Sequence, residues 1–489
     1  MVCFLECRAF LRNSNQLKVT KGNKMKTNKF TNMFVSTLLL GAATGASAAA
    51  FQLAEVSTSG LGRAYAGEAA IADNAAVVAT NPALMSLFKQ NEFSAGGVYI
   101  DSKIHMDGQV KAKVLGVEVA QGSAKQRNVV PGSFIPNMYF VAPINDKFAI
   151  GTGMNVNFGL KSKYEDNYDA GLFGGNTNLT SINLNLSGSY RISEGWSAGL
   201  GLNAIYAKAK VERTAGILDT AIDNVRTTPA LQQQIAARAA AANIPATGLM
   251  QRLGGLGAQI EKNTSLTHLQ GNAWAFGWNA GLLYEFNDKN RIGVAYHSKV
   301  DIDFKDNTAL SYVPRGTAAY VGEGGLTLHL PSYWEVSGFH QLTDKLAMHY
   351  SYKYTEWSRL KDLHATYNNG QLAFHKDEGY RDNSRVALGV TYDLTEQLAL
   401  RAGIAYDESA AGEHHSASIP DTDRTWYSLG ATYKFTPNLS VDFGFAHLHG
   451  KKLNFKENQS LTRGLVVVEA DYQSKASANL YGLNLNYRF

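Results

Sequence analysis

The chain has 489 residues, of which 10 are Pro, 2 Cys, 24 Tyr and 22 Phe, and only 18% are charged. No stretch reaches the roughly 18 consecutive apolar residues that a membrane helix requires, so a span of this chain must be a closed β-barrel. Seven Lys/Arg and one acid fall in the first 48 residues, so the overall +5 becomes about −1 beyond them, which argues against a nucleic-acid partner.

Cys3 and Cys7 both lie in the first 24 residues, which are expected to be a mis-assigned start or a vector remnant. Without them the chain has no disulfide or thiol chemistry. From Met25, the order Lys26, Lys29, MFVSTLLLGAATG and Ala46-Ser47-Ala48 is that of a secretory signal over 25–48, cut before Ala49.

Residues 51–88, FQLAEVSTSGLGRAYAGEAAIADNAAVVATNPALMSLF, do not alternate. About eight Ala between Ala64 and Ala79, after Gly60 and Gly62, give a backbone that packs closely. Asn81 as cap and Pro82 at the first helical position, followed by Ala83, start a short helix to Phe88. Such a segment cannot face lipid. The expectation is a small, partly helical hatch, residues 49–90, plugging a barrel made of 91–489; a periplasmic extension is the alternative and should be more polar.

From about residue 92 the pattern has period 2. In SINLNLSGSYRI, Ile182, Leu184, Leu186, Tyr190 and Ile192 share one face, and Ser181, Asn183, Asn185, Ser187, Ser189 and Arg191 the other. YGLNLNYRF repeats this to the terminal Phe489. About 14 such runs are separated alternately by tight turns, such as Ser193-Glu194-Gly195, and by long segments at 104–133, 159–177, 214–265, 306–325, 365–382, 409–423 and 455–477. An all-β transmembrane protein is therefore expected: an antiparallel outer-membrane barrel with short periplasmic turns and long outer loops.

Three runs carry more than wall pattern. FAIGTGMNVNFGL has Gly151, Gly153 and Gly159, where a strand can bend or lose pairing. In 195–213, Asn203, Ile205, Ala207, Ala209, Val211 and Arg213 share the inward phase, which passes from polar to apolar and ends in a guanidinium. That order suits an alkyl chain with an anionic head. The loop 217–262 favours short helices, and Ile235, Ile244, Leu249, Met250, Leu253 and Leu256 are expected to give it an exposed apolar landing surface. H-E-x-x-H is absent, and His414-His415 lacks nearby Cys or a second pair at ligand spacing, so no catalytic residue, metal or cofactor is expected.

GLGRAYAGEAAIADNAAVVATNPAL, FSAGGVYID, FIPNMYFVAPIND, NLNLSGSYR, KVERTAG, HLQGNAWAFGWNAGLLYE, LPSYWEVSG and SIPDTDRTWYSLGATY together closely resemble the FadL family of long-chain fatty acid transporters, from Phe51 to Phe489. The resemblance implies a 14-stranded barrel with an N-terminal hatch. It implies that Arg213 and Lys376, in KVERTAG and AFHKDEGY, meet a ligand carboxylate, and that Phe51 joins Ile205, Ala207, Ala209 and Val211 in the apolar pocket. Phase counted from Val386, Leu388 and Val390 points Lys376 outward unless a bulge intervenes, and Glu378 can neutralise it. An inward kink of the third strand, with Asn157, Phe158 and Gly159, is the implied lateral opening.

The expected function is passive, ligand-gated diffusion of long-chain fatty acids across the outer membrane of a Gram-negative cell, with lateral release. Nothing resembles a TonB box. Uptake of aromatic or other hydrophobic compounds is the alternative, and an enzyme or a general porin is less favoured. The expected surroundings are outer-membrane lipids and lipopolysaccharide, and the expected state is a monomer.

Overall fold

The computed structural model describes residues 51–245, 248, 260–312 and 319–489. The expected signal and the stretch before it lie outside the described residues. Fourteen antiparallel wall strands close into a barrel. They are β1 (Glu92–Val114), β2 (Ser133–Pro143), β3 (Phe148–Asn155), β4 (Asn176–Arg191), β5 (Trp196–Thr214), β6 (Ser265–Asn287), β7 (Asn290–His297), β8 (Tyr333–Gln341), β9 (Leu346–Thr355), β10 (Asn383–Asp393), β11 (Leu398–Asp407), β12 (Arg424–Lys434), β13 (Leu439–Gly450) and β14 (Val466–Arg488). Closure is made by β1 against β14, paired from Glu92↔Arg488 to Val114↔Val466. No described helix is long and apolar enough to cross a membrane.

Burial along the wall is the reverse of that in a water-soluble sheet. On β4, Leu184 and Leu186 are exposed, whereas Ser181, Asn183, Asn185, Ser187 and Ser189 are buried. Leucine outside and asparagine inside is stable only where the outside is lipid. Exposed aromatics gather beside the tight turns, where Phe148 packs on Tyr190 at 4.7 Å and Trp196 on Tyr284 at 4.6 Å between ring centroids.

The wall continues beyond the membrane. β1 and β14 are 23 residues each, about twice the nine to eleven that span a bilayer. Much of the expected loops 104–133 and 455–477 is thus strand, including Val117–Ser123 and Leu453–Leu461. Above the bilayer the alternation becomes that of a water-soluble sheet: Val110, Ala112 and Val114 are buried, while Lys111 and Lys113 face the other way and pair with Glu118 and Glu469. In the loop 217–262, helices Ile217–Thr227 and Pro229–Ala241 form as expected. Ile235, however, is buried against the outer apolar cluster rather than exposed, because the helix pair turns its apolar side down onto Val119 and its neighbours. Leu249, Met250, Leu253 and Leu256 lie outside the described residues.

The segment ahead of β1 folds within the ring of strands. α1 (Thr58–Leu61) is capped by Ser57, α2 (Val77–Thr80) follows, and Pro82–Leu87 forms a 3-10 helix rather than an α-helix. Asn81 caps it by accepting from Ala83 N at 3.0 Å, while its amide donates to Ala69 O at 2.7 Å and to Leu282 O of β6 at 3.1 Å. Bonds leave the hatch in every direction: Thr58 Oγ1 to Asn484 of β14 at 2.7 Å, Gly67 N to Ser351 of β9 at 2.8 Å, and Ala75 N to Ser94 of β1 at 3.2 Å. Contact with the wall is so close that a Cβ on Gly430 would lie 2.7 Å from Gly62 Cα, and one on Gly281 1.8 Å from Asn81 Oδ1. The buried Arg63 binds Glu68 at 2.7 Å and Asp73 at 2.6 Å, and Arg401 of β11 reaches Asp73 at 3.3 Å. The hatch is therefore held by paired charges as well as by packing.

Candidate ligand-binding site

β5 carries the sequence order noted above onto the inner wall. Asn203 belongs to an amide network in which Asn183 and Asn185 donate to its Oδ1 at 3.0 and 2.9 Å, while it donates to Asn279 at 3.0 Å. One turn of the pleat outward the lining becomes apolar. Ile205 and Ala207 are buried in a cluster with Phe51, Phe158, Phe304 and Trp357, and Ala209 packs on its edge. Phe51 meets Trp357 edge-on at 4.8 Å and Phe158 at 6.5 Å. Val211 stands beside Ala209 on a cavity of about 60 Å³, lined also by Phe304 and Leu326.

Above this cluster, Arg213 and Lys376 line one polar cavity of about 390 Å³, together with Lys456, Glu457, His414 and Ser416. Arg213 is buried and donates to Thr177 Oγ1 at 3.1 Å and to Glu212 O at 2.7 Å. Lys376 donates to Ser416 Oγ and, at 2.9 Å, to Ser418 Oγ, and pairs with the fully buried Glu378 at 3.1 Å. Burial pushes the Glu378 carboxyl up, with Lys376 offsetting part of the rise.

The outward phase counted for Lys376 does not hold. Its strand, Leu372–Asp377, is separate from β10 and pairs with Asp362–Tyr367, which follows β9. Between Leu372–Asp377 and β10, Gly379 takes φ +53°, a left-handed conformation that breaks the alternation. Ser416 and Ser418, which hold the ammonium, carried no signal in the sequence, since they sit in a loop of small residues.

The third strand is interrupted where the glycines suggested. β2 and β3 pair only from Pro143↔Ala149 to Met138↔Met154. Beyond Asn155 the chain leaves β2, and Gly159–Lys163 pairs with β4 alone among the wall strands. The hatch takes the abandoned place. Leu53 N donates to Asn157 O at 2.8 Å, Gly159 N donates to Phe51 O at 2.9 Å, and Gln52 bridges Phe158. Asn157, Phe158 and Gly159 are thus at a break in wall pairing, in direct contact with the first residues of the hatch. Ser162, just beyond, donates to Ser418 O at 2.9 Å, which joins the break to the loop that holds Lys376.

One sequence pattern relevant to enzymes does occur: Gly195-Trp196-Ser197-Ala198-Gly199 reads G-x-S-x-G. It is not a nucleophile elbow. Ser197 lies buried on β5 and accepts from Ser86 Oγ of the hatch at 2.8 Å, whereas an elbow needs a sharp strand-to-helix turn with an exposed hydroxyl.

Residues 39–489 match the sequence model of the family described as outer membrane protein transport protein (OMPP1/FadL/TodX). Outer membrane protein P1 of Haemophilus influenzae is 60% identical over 472 residues, covering 94% of this chain and 100% of that one. The long-chain fatty acid transport protein of Escherichia coli strain K12 is 42% identical over 459 residues, covering 91% and 96%. The crystal structure of a Pseudomonas aeruginosa FadL homologue superposes with a TM-score of 0.73 at 22% identity, covering 90% of this chain and 100% of that one.

Proposed function

The chain belongs to the OMPP1/FadL/TodX family of outer membrane transport proteins, and on that premise we propose that it carries long-chain fatty acids by passive diffusion. It is an outer membrane transporter of hydrophobic compounds. The finer reading is supported by one observation above all: Arg213 and Lys376 share a polar cavity, and Arg213 stands on β5 in line with Ile205, Ala207 and Ala209 of the apolar cluster that Phe51 of the hatch helps to fill. The name of the Escherichia coli relative points to the same ligand class. The ligand is moved unchanged, with no catalytic step.

The alkyl chain has to enter where the structure is closely packed. The cavity beside Ala209 and Val211 is about 60 Å³, whereas ligand pockets usually need about 300–1,000 Å³. Entry therefore displaces Phe51 and its neighbours. Because Leu53 donates to Asn157 O and Phe51 O accepts from Gly159 N, displacing them loosens the break between β2 and β3. Release sideways is then favoured over release into the periplasm, since an alkyl chain gains nothing by entering water when lipid is adjacent.

Each buried methylene contributes ~0.8 kcal/mol, so ten contribute roughly 8, against about 1.5–3 for a charge-assisted hydrogen bond. The charges select the head and the apolar lining supplies the affinity. Titrating oleate and methyl oleate side by side tests this. Arg213→Ala should weaken oleate by about one to two powers of ten and leave methyl oleate nearly unchanged. Equal losses for both ligands would mean that Arg213 holds the fold and not the carboxylate.

A further inference from the structure

The outer hairpin of Asp362–Tyr367 and Leu372–Asp377 brings together residues that sequence spacing leaves apart. His364 and His375 are directly opposed across it, and their Nδ1 atoms are 3.3 Å apart. Asp362 Oδ2 lies 3.6 Å from His375 Nδ1, and one ligand atom from each of the three residues falls within 4.8 Å of the others. Two neutral imidazole nitrogens facing each other as acceptors repel, so this arrangement needs either a proton or a cation between them.

The dimensions favour a cation. With zinc–nitrogen bonds of about 2.0–2.1 Å, two ligands of a tetrahedron stand roughly 3.3–3.4 Å apart. A second feature points the same way. Asp377 Oδ1 is 3.2 Å from Nε2 of His375, where a carboxylate takes the ring's other proton and leaves Nδ1 free to donate its lone pair. Two imidazoles, one carboxylate and an outer carboxylate orienting one ring form a donor set suited to zinc or a similar borderline cation.

We propose that Asp362, His364 and His375 form a divalent transition-metal site on the extracellular hairpin, with Asp377 as a positioning residue and the fourth place left to water. Asp362, His364 and His375 are at least partly exposed, so an ion reaches them from outside. The bound ion cross-links the two strands of the hairpin. Lys376 follows His375 on the same strand, so the ion also fixes the segment that carries it; this last consequence rests on the transport reading, whereas the site itself does not.

The test uses the full chain in detergent micelles, stripped with a chelator. Zinc is titrated by calorimetry, and cobalt(II) is followed by its visible absorption. One equivalent of each is expected, with the intense bands of low-coordinate cobalt. His364→Ala and His375→Ala should each weaken binding at least tenfold, and Asp377→Asn by about 10-fold or more, the usual effect of losing an outer partner. His340→Ala, beside the tight turn that ends β8 and outside the hairpin, should change nothing. His364→Cys guards against misfolding, because a thiolate is also a zinc ligand and should restore binding with a new sulfur-to-cobalt absorption. The proposal is overturned if the intact protein binds no zinc, or if His364→Ala and His375→Ala bind it as the intact protein does, which would leave only a proton shared between the two rings.

Discussion

At the scale of single residues, the site depends on which charges are already engaged. Arg213 donates to a threonine hydroxyl and a backbone carbonyl and has no carboxylate within ion-pair distance among the described residues, although Glu457 lines the same cavity. Lys376 is paired with Glu378 and held by two serines. Lys376→Ala should therefore weaken oleate in the same direction as Arg213→Ala but by less, and Glu378→Gln should strengthen it; both are read from the same titration. In the hatch, a buried carboxyl has no such partner lysine or serines among the described residues. Glu55 is buried, and burial lifts its carboxyl from 4.5 to about 7, only partly offset by backbone amides and by Arg424 and Arg385. When the hatch leaves its seat, Glu55 regains water and its ordinary value. Below about pH 4.5 both states hold the proton; as pH rises toward 7 the undocked state loses it first, so docking weakens, and above 7 the loss is constant. Channel openings in a planar bilayer should be more frequent at pH 8 than at pH 5, and Glu55→Gln should remove the difference. If that variant keeps the pH dependence, Glu55 is not its source.

At the scale of elements, the break in β3 and the glycine seats of the hatch each make one prediction. Removing Val156 and Asn157 takes two residues from the bend, which preserves the side-chain phase of the strand while letting it pair straight on along β2. Oleate binding should persist and uptake into cells should be lost; uptake at the intact rate would remove the lateral exit. On the far side of the barrel, Gly430→Val puts side-chain atoms where Gly62 sits, 2.7 Å from the new Cβ. Backbone on both sides leaves nothing flexible to move aside. The wall should still form, because Gly430 pairs with β11 and β13 through its backbone, and ionic conductance should rise because the hatch no longer seats.

At the scale of the whole molecule, the barrel and the hatch are stabilised differently. The wall is antiparallel pairing closed by β1 on β14, and at its break beyond Met138↔Met154 the hatch takes the missing place, so little edge is left open. The hatch hangs on side-chain bonds, small-residue contacts and the Arg63–Glu68–Asp73 cluster. Deleting residues 51–90 should leave a folded, heat-modifiable barrel with large conductance in planar bilayers. Conductance equal to that of the intact protein would mean that the hatch does not obstruct the lumen.

Alternation, charge and turn chemistry were enough to read the barrel, because lipid on one side and a polar lumen on the other impose opposite demands on successive residues. That is why Leu184 and Asn183 could be assigned to faces from the sequence, and why the inward set from Asn203 to Arg213 was legible. Small residues and the Asn81-Pro82 cap likewise identified the hatch as something other than wall. The rest depended on pairings between distant segments. Lys376 turns inward because its strand belongs to a separate outer hairpin and a left-handed Gly379 follows it, which a count along one strand does not register. Ser416, Ser418, Trp357 and Arg401, the wall partner of Asp73, meet their neighbours only once the barrel closes. Ile235 is buried because a loop helix lies on a hairpin whose pairing continues in water, where the alternation that lipid enforces is absent. Period 2 records the solvent on each side of a wall; which segments meet across the lumen or above the membrane is decided by closure of the chain.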